Sequence, residues 1–122
     1  MRGINQYKSV SLNSATNEQL VVMLYEAAVR YQILAVDAIE SGDKKDAREN
    51  LRKVREIFSE LMLALDVPAA PELAGNLTEL YRWVIREISE VGMSLDASRL
   101  EKTLEVTTQL LEGWGDAFGR GG

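Results

Sequence analysis

The stretch from about Asn17 to Glu40 carries apolar residues on two faces of a helix, and this constrains the fold more than any other feature. One set recurs at the three- and four-residue spacing of a core-facing helix: Leu20, Leu24, Ala27, Ala28, Tyr31, Leu34, Ala35 and Ala38. A second stripe is centred ~140° further around the helix and consists of Val22, Tyr25, Val29, Ile33 and Val36. A helix that is apolar on two faces must bury both. We expect the first face to meet the core, and the second stripe to meet further neighbours or a partner protein.

Signals for helix ends divide the chain into four helical segments. Gly42 can take the left-handed conformation that ends the first helix, and Gly92 is expected to end the third. Asp43 and Asp96 can cap the second and fourth helices, and Pro71 suits the first turn of the third. The core positions expected on these three helices are Ala47, Leu51, Val54, Phe58, Leu61 and Leu65, then Leu73, Leu77, Leu80, Val84, Ile88 and Val91, then Leu100, Leu104, Thr107, Leu111, Trp114 and Phe118.

These segments predict the architecture. Four amphipathic helices with short connections favour antiparallel neighbours. We therefore predict an all-α fold, an antiparallel up-down-up-down four-helix bundle over residues 16–118. Residues 1–15 would form an extended N-terminal segment and residues 119–122 a flexible tail. Because Ile4, Tyr7 and Val10 punctuate the N-terminal segment, we expect it to lie over an apolar groove of the bundle. The alternative is a loose tail with scattered apolar residues.

Two side-chain types that are common in catalytic and metal sites are missing. The chain has no histidine and no cysteine, which excludes imidazole catalysis, thiolate chemistry, disulfides and the Glu-x-x-His di-iron site of some helical bundles. No glycine-rich phosphate loop follows a strand pattern. We expect no enzymatic activity, no catalytic residue, no metal and no cofactor.

Charge and hydropathy limit the partners. The net charge of −5 argues against nucleic-acid binding, which needs clustered cations. One segment is locally basic, either as a solvated helix face or as a docking surface for an acidic partner: Lys44, Lys45, Arg48, Arg52, Lys53 and Arg55. No uninterrupted apolar run approaches the ~20 residues that span a bilayer, and the first residues lack a signal-peptide core. We expect a cytoplasmic protein that does not insert into membranes.

Because we expect no catalytic site, we look for residues that could bind a partner protein. Trp83 lies ~100° from the centre of its helix's core face, where it either seals the core edge or anchors a bound peptide. For Tyr25 we favour a partner contact, and for Tyr81 the core. The predicted partner-binding residues are Ile4, Tyr7, Val10, Val22, Tyr25, Val29, Ile33 and Trp83.

Two blocks of sequence resemble the flagellar secretion chaperones of the FliS family. Residues 15–27 read Ala-Thr-Asn-Glu-Gln-Leu-Val-Val-Met-Leu-Tyr-Glu-Ala, against a family pattern of roughly Ala-Ser/Thr-Pro-Glu-Gln-Leu-Val-x-Met-Leu-Tyr-Asp-Gly. Asn17 replaces the usual proline, and Glu26-Ala27 replaces the usual Asp-Gly. Residues 76–87 read Asn-Leu-Thr-Glu-Leu-Tyr-Arg-Trp-Val-Ile-Arg-Glu, similar to the family's Asn-Leu-x-x-Leu-Tyr-x-Tyr-Met-x-Arg-Arg.

The resemblance implies a cytoplasmic flagellin export chaperone. Such a protein would bind the C-terminal helical region of flagellin one to one, prevent premature polymerisation and assist delivery to the flagellar type III export gate. The resemblance also implies that the N-terminal segment can cover the client groove. The alternative is a structural or regulatory helical module that self-associates through the second stripe. The free protein is expected to be a monomer or a weak homodimer.

Overall fold

A computed structural model describes residues 17–118, which form four α-helices. These are α1 (Asn17–Ser41), α2 (Lys44–Leu63), α3 (Pro71–Ser94) and α4 (Ala97–Phe118). Helix α1 packs against α2 and α4, and α3 also packs against α2 and α4. The four helices therefore close the predicted antiparallel bundle, with no strand among the described residues. The predicted N-terminal segment, with Ile4, Tyr7 and Val10, and the predicted tail lie outside the described residues.

The predicted turn between α1 and α2 is confirmed. Gly42 has a φ of 80°, in the left-handed region that glycine tolerates without a side-chain clash. The Asp43 carboxylate accepts a hydrogen bond from the Asp46 backbone N–H at 3.0 Å, which is the expected N-cap of α2. Asp96 likewise accepts from the Ser98 backbone N–H at 2.9 Å at the start of α4.

The expectation that Gly92 ends α3 is wrong. The helix continues to Ser94, and Leu95 takes the left-handed cap with a φ of 55° while its N–H donates to the Val91 carbonyl at 2.7 Å. A glycine inside a helix costs only ~1 kcal/mol relative to alanine, which is less than the burial of one large side chain contributes. The Gly92 carbonyl accepts a hydrogen bond from Arg48 Nε of α2 at 3.0 Å.

An aromatic cluster forms the centre of the core. The rings of Phe58 and Tyr81 meet edge to face at 5.5 Å, and those of Tyr25 and Tyr81 at 6.5 Å. The predicted core of α2 is confirmed, with Leu65 half-buried just beyond the helix end and the remaining members buried: Ala47, Leu51, Val54, Phe58 and Leu61. The expectation that Tyr81 belongs to the core is also confirmed.

Helix α1 buries parts of both apolar stripes because it has two neighbours, α2 and α4. Two expected core residues are exposed, Leu34 at 42% and Leu73 at 53%, so those expectations are wrong. By length and composition, α1 is the one helix of the described residues that could cross a membrane. A helix of a water-soluble bundle can meet the same criterion, and α1 contributes several buried side chains to the core.

Candidate functional site

The binding candidates on α1 lie at different depths. Val22 and Tyr25 are buried, Val29 is half-buried, and Ile33 is 45% exposed. The expectation that Val22 and Tyr25 lie on a surface off the core is therefore wrong. The reason is α4: the Tyr25 ring contacts the Trp114 ring of that helix at 6.4 Å, so the second stripe already has a neighbour along part of its length.

The Tyr25 hydroxyl also has a hydrogen-bond partner inside the protein. It forms a hydrogen bond with the Tyr81 hydroxyl, across the bundle from α1 to α3. Burial raises the pKa of both phenols, and the neighbouring Tyr81 raises the pKa of Tyr25 further. Both side chains are therefore neutral near pH 7, and together they satisfy each other's polar groups within an apolar core.

Sequence reasoning missed a buried polar cluster between α1 and α4. Gln32 Nε2 donates to Thr107 Oγ1 at 2.9 Å and to the Ala28 carbonyl at 3.2 Å. Thr103 Oγ1 donates to Gln32 Oε1 at 2.8 Å, and Thr107 Oγ1 donates to the Thr103 carbonyl at 2.7 Å. Gln32, Thr103 and Thr107 are fully buried, and no buried side-chain polar atom of residues 17–118 lacks a partner. A signal was available, because Gln32 falls one helical turn from Ala28 on the core face of α1.

The contact between α3 and α4, the α3–α4 seam, is the sparsest of the four helix contacts. One end is closed by an ion pair in which Arg99 Nη2 lies 3.0 Å from Glu87 Oε2, with Glu90 at 3.8 Å from Arg99 Nη1. Trp83 precedes Glu87 by one helical turn, so it lies on the same flank of α3 and faces the seam. Trp83 is half-buried, which fits its predicted position at the edge of the core.

The seam continues as an apolar surface away from the ion pair. Leu80 on α3 and Val106 and Leu110 on α4 are half-buried and lie on the facing flanks by helical spacing. One turn beyond Leu110, Trp114 enters the wall of a pocket of about 280 Å³ at the end of the bundle. The pocket wall is mainly apolar and is lined by residues from all four helices and the α2–α3 connection: Asn17, Glu18, Val21, Leu61, Ala64, Leu65, Asp66, Ala69, Ala70, Leu73, Ala74, Leu77, Tyr81 and Trp114.

The two blocks that carry the family resemblance meet inside the bundle. Tyr25 of the first block and Tyr81 of the second form the buried hydroxyl pair, and Leu20, Leu24 and Leu77 of the same blocks are core residues. Comparison with known families agrees, since the profile described as "Flagellar protein FliS" matches residues 1–120. The chain belongs to the FliS family.

Curated relatives of this FliS-family chain carry the same family name. The flagellar secretion chaperone FliS of Salmonella typhimurium (strain LT2) is 32% identical over 117 residues, covering 92% of this chain and 87% of the relative. The protein of that name in Bacillus subtilis (strain 168) is 29% identical over 112 residues, covering 92% and 83%. The one in Campylobacter jejuni is 31% identical over 111 residues, covering 88% and 87%. FliS is a family of chaperones, and this member is not an enzyme.

Proposed function

We propose that this FliS-family chain is a cytoplasmic export chaperone for flagellin. It binds the C-terminal helical region of newly made flagellin one to one, prevents premature polymerisation and assists delivery to the flagellar type III export apparatus. The observation that carries this proposal is the family match over residues 1–120, shared with relatives named flagellar secretion chaperones.

The physics of the client fits a helical bundle. A segment that packs only inside a filament is an exposed amphipathic chain beforehand, and a groove between two helices can cover its apolar face. Ordering a disordered client costs conformational entropy, so tight binding needs a large wrapped surface. No nucleotide is needed, since competition or pulling by the export machinery can release the client.

We place the main client contact on the α3–α4 seam. Trp83 is the anchor, because a half-buried tryptophan loses little side-chain freedom on binding and offers a large apolar area. The pocket beside Trp114 at the end of the seam can take one bulky apolar side chain of the client. A second contact would come from Ile33 and Val29, which lie on the same stripe of α1 as Tyr25. This contact would serve a client that wraps around the bundle.

The N-terminal segment is proposed to compete with the client. Asn17 and Glu18, the first two residues of α1, line the pocket. Residues 1–11, with Ile4, Tyr7 and Val10, would lie over apolar surface between helices when the client is absent. Deleting residues 1–11 should then speed client association in stopped-flow experiments and increase self-association. An unchanged association rate with no rise in self-association would identify an ordinary tail.

Substitution of Trp83 tests the client site. Trp83→Ala should weaken binding of a flagellin C-terminal peptide by about thirtyfold or more in calorimetry, the effect of losing an interface hot spot of ~2 kcal/mol. Met93→Ala is the matched control, because Met93 is a 71% exposed apolar residue on the same helix, away from the seam. Ile33→Asp tests the second contact, with retained folding checked by circular dichroism.

Two results would contradict the proposal. Equal peptide affinity for the wild type, Trp83→Ala and Ile33→Asp would remove the client site from both surfaces. A stable homodimer that ignores the peptide in size measurements would favour the self-associating helical module.

A further inference from the structure

A tyrosine on the opposite side of the bundle lies between two cations. The Arg30 guanidinium is 5.3 Å from the centroid of the Tyr31 ring, and Lys53 Nζ of α2 is 5.0 Å from it. Both distances are within the range of a cation–π contact. The ring thereby holds two like charges together at the contact between α1 and α2.

These two cations keep their charges available. Among residues 17–118, neither Arg30 nor Lys53 forms an ion pair. Arg52 forms ion pairs with the nearby carboxylates of Glu49 and Glu56. Arg52 is the main cause that lowers the pKa of Glu49, and Lys53 contributes to the same shift from a longer distance. By contrast, Arg52 and Arg99 are each held by carboxylates of their own or a neighbouring helix.

An exposed apolar side chain lies beside the charges. Leu34 follows Tyr31 by three residues and Arg30 by four, so all three share one flank of α1. Leu34 is 42% exposed, on a flank of α1 that reaches the surface. Arg30, Tyr31, Leu34 and Lys53 together form a basic surface with an apolar contact, which we call the Tyr31 surface.

We propose that the Tyr31 surface docks an acidic amphipathic helix of a second protein partner. Two carboxylates one helical turn apart on the partner would meet Arg30 and Lys53, and a leucine-like side chain one turn further would lie on Leu34. The charge complementarity selects an acidic partner, and Leu34 and the edge of Tyr31 select one with an apolar stripe.

This docking surface is separate from the proposed client groove. The helices close a ring in the order α1, α2, α3, α4, so the α1–α2 contact lies opposite the α3–α4 seam. A chaperone bound to a client along the seam would keep the Tyr31 surface accessible for a second protein. The proposal does not depend on the identity of the client.

The test uses the full chain, labelled with ¹⁵N, and a designed helical peptide. The peptide carries two glutamates four residues apart and a leucine one turn beyond on the same face. We expect NMR shift changes centred on residues 30–34 and 53, and binding that weakens when salt is raised from 0.15 to 0.5 M, as expected for screening of exposed charges. Lys53→Glu and Arg30→Glu should each weaken the peptide affinity by about tenfold or more.

Matched variants separate local contact from net charge. Lys102→Glu on α4 and Arg82→Glu on α3 make the same changes in charge at exposed positions away from the Tyr31 surface. They should change the affinity by less than about threefold, since only screened long-range charge is altered. The same peptide with glutamine at both glutamate positions should bind at least tenfold more weakly.

Three outcomes would overturn the proposal. The first is no shift change at residues 30–34 and 53 at millimolar peptide. The second is equal weakening by the control variants. The third is a single-stranded oligonucleotide that binds this surface as tightly as the acidic peptide, which would indicate phosphate recognition instead. The Lys53→Glu variant should still bind the flagellin peptide. This shows that the Tyr31 surface and the client site are tested independently of each other.

Discussion

The two opposite contacts, α1–α2 and α3–α4, are joined by connections of the same length but are packed differently. Residues 42–43 join the first pair and residues 95–96 the second, yet the first pair is packed far more extensively. Helices α1 and α2 bury small residues near their turn, including Ala35, Ala38 and Ala47. Small side chains allow helix axes to approach closely, because the interaxial distance depends on the residues at the contact.

The α3–α4 seam instead carries long side chains. Trp83, Glu87 and Arg99 occupy the facing flanks and hold the helices together with a partly exposed ion pair and a half-buried ring. Connection length thus sets which helices are neighbours, whereas side-chain size sets how completely their seam closes. The incompletely closed seam is also where we propose that the client binds.

Removing one aromatic ring from the core and one from the seam should have very different effects on stability. Tyr25→Ala should lower the free energy of unfolding by about 3–5 kcal/mol, because the fully buried ring and its bond to Tyr81 are lost. Trp83→Ala should lower it by only about 1 kcal/mol, since that side chain is only partly buried. Urea denaturation measures both. Equal losses would show that the seam is as well packed as the core.

The α1 stripes show how far the sequence predicts the site. Helical spacing correctly placed the four helices and the α2 core, because each helix needs only one buried face for that inference. It misplaced Tyr25 and Leu34, since periodicity defines faces of one helix and does not say where its two neighbours stand. The structure turns α1 so that Tyr25 points between α3 and α4, and the flank with Leu34 reaches the surface.

A smaller effect is expected from the polar cluster between α1 and α4. Thr107→Val should cost about 1–3 kcal/mol of unfolding free energy, because the buried Gln32 N–H loses its acceptor. Combining Gln32→Leu with Thr103→Val and Thr107→Val should restore much of that loss by removing the unpaired groups together. Calorimetric unfolding tests both, and additive losses in the triple variant would contradict the idea of a coupled cluster.

Gln32 also marks a limit of residue-type reasoning. Glutamine is usually assigned to a polar face, yet at this position its neighbours on the core face are Ala28 and Ala35. Thr103 and Thr107, one turn apart on α4, supply partners of the right length. The burial of Gln32 could be predicted from its position on the helical wheel. Its hydrogen bonds to Thr103 and Thr107 could not, because they depend on the register of α1 against α4, which only the fold provides.

The pH dependence of stability above pH 10 tests the Tyr25–Tyr81 pair without a large change in packing. Burial raises the pKa of both phenols in the folded protein above the ordinary value of about 10. The unfolded chain therefore loses these protons first as the pH rises, so stability is full below about pH 10 and falls above it. At pH 10.5 the Tyr25 contribution alone should cost about 1 kcal/mol. Tyr81→Phe should show a shallower fall in urea titrations, and an identical fall would assign the effect to other groups.

The smallest expected effect concerns the ion pair that closes the seam. Arg99 is 38% exposed and lies against Glu87 and Glu90, so the pair is partly screened by water and salt. Arg99→Gln should reduce the unfolding free energy only slightly, and the difference should vanish in 0.5 M salt. Arg99→Gln should have a larger effect on local opening of the seam than on global unfolding. Amide hydrogen exchange should become faster at the start of α4 and around Glu87, because local opening needs far less energy than unfolding.

Arg52→Gln, which breaks an ion pair confined to one face of α2, is the matched control and should leave exchange at α4 unchanged. If Arg99→Gln leaves α4 exchange unchanged as well, side-chain packing alone holds the seam, and the ion pair is a surface contact without influence on its opening.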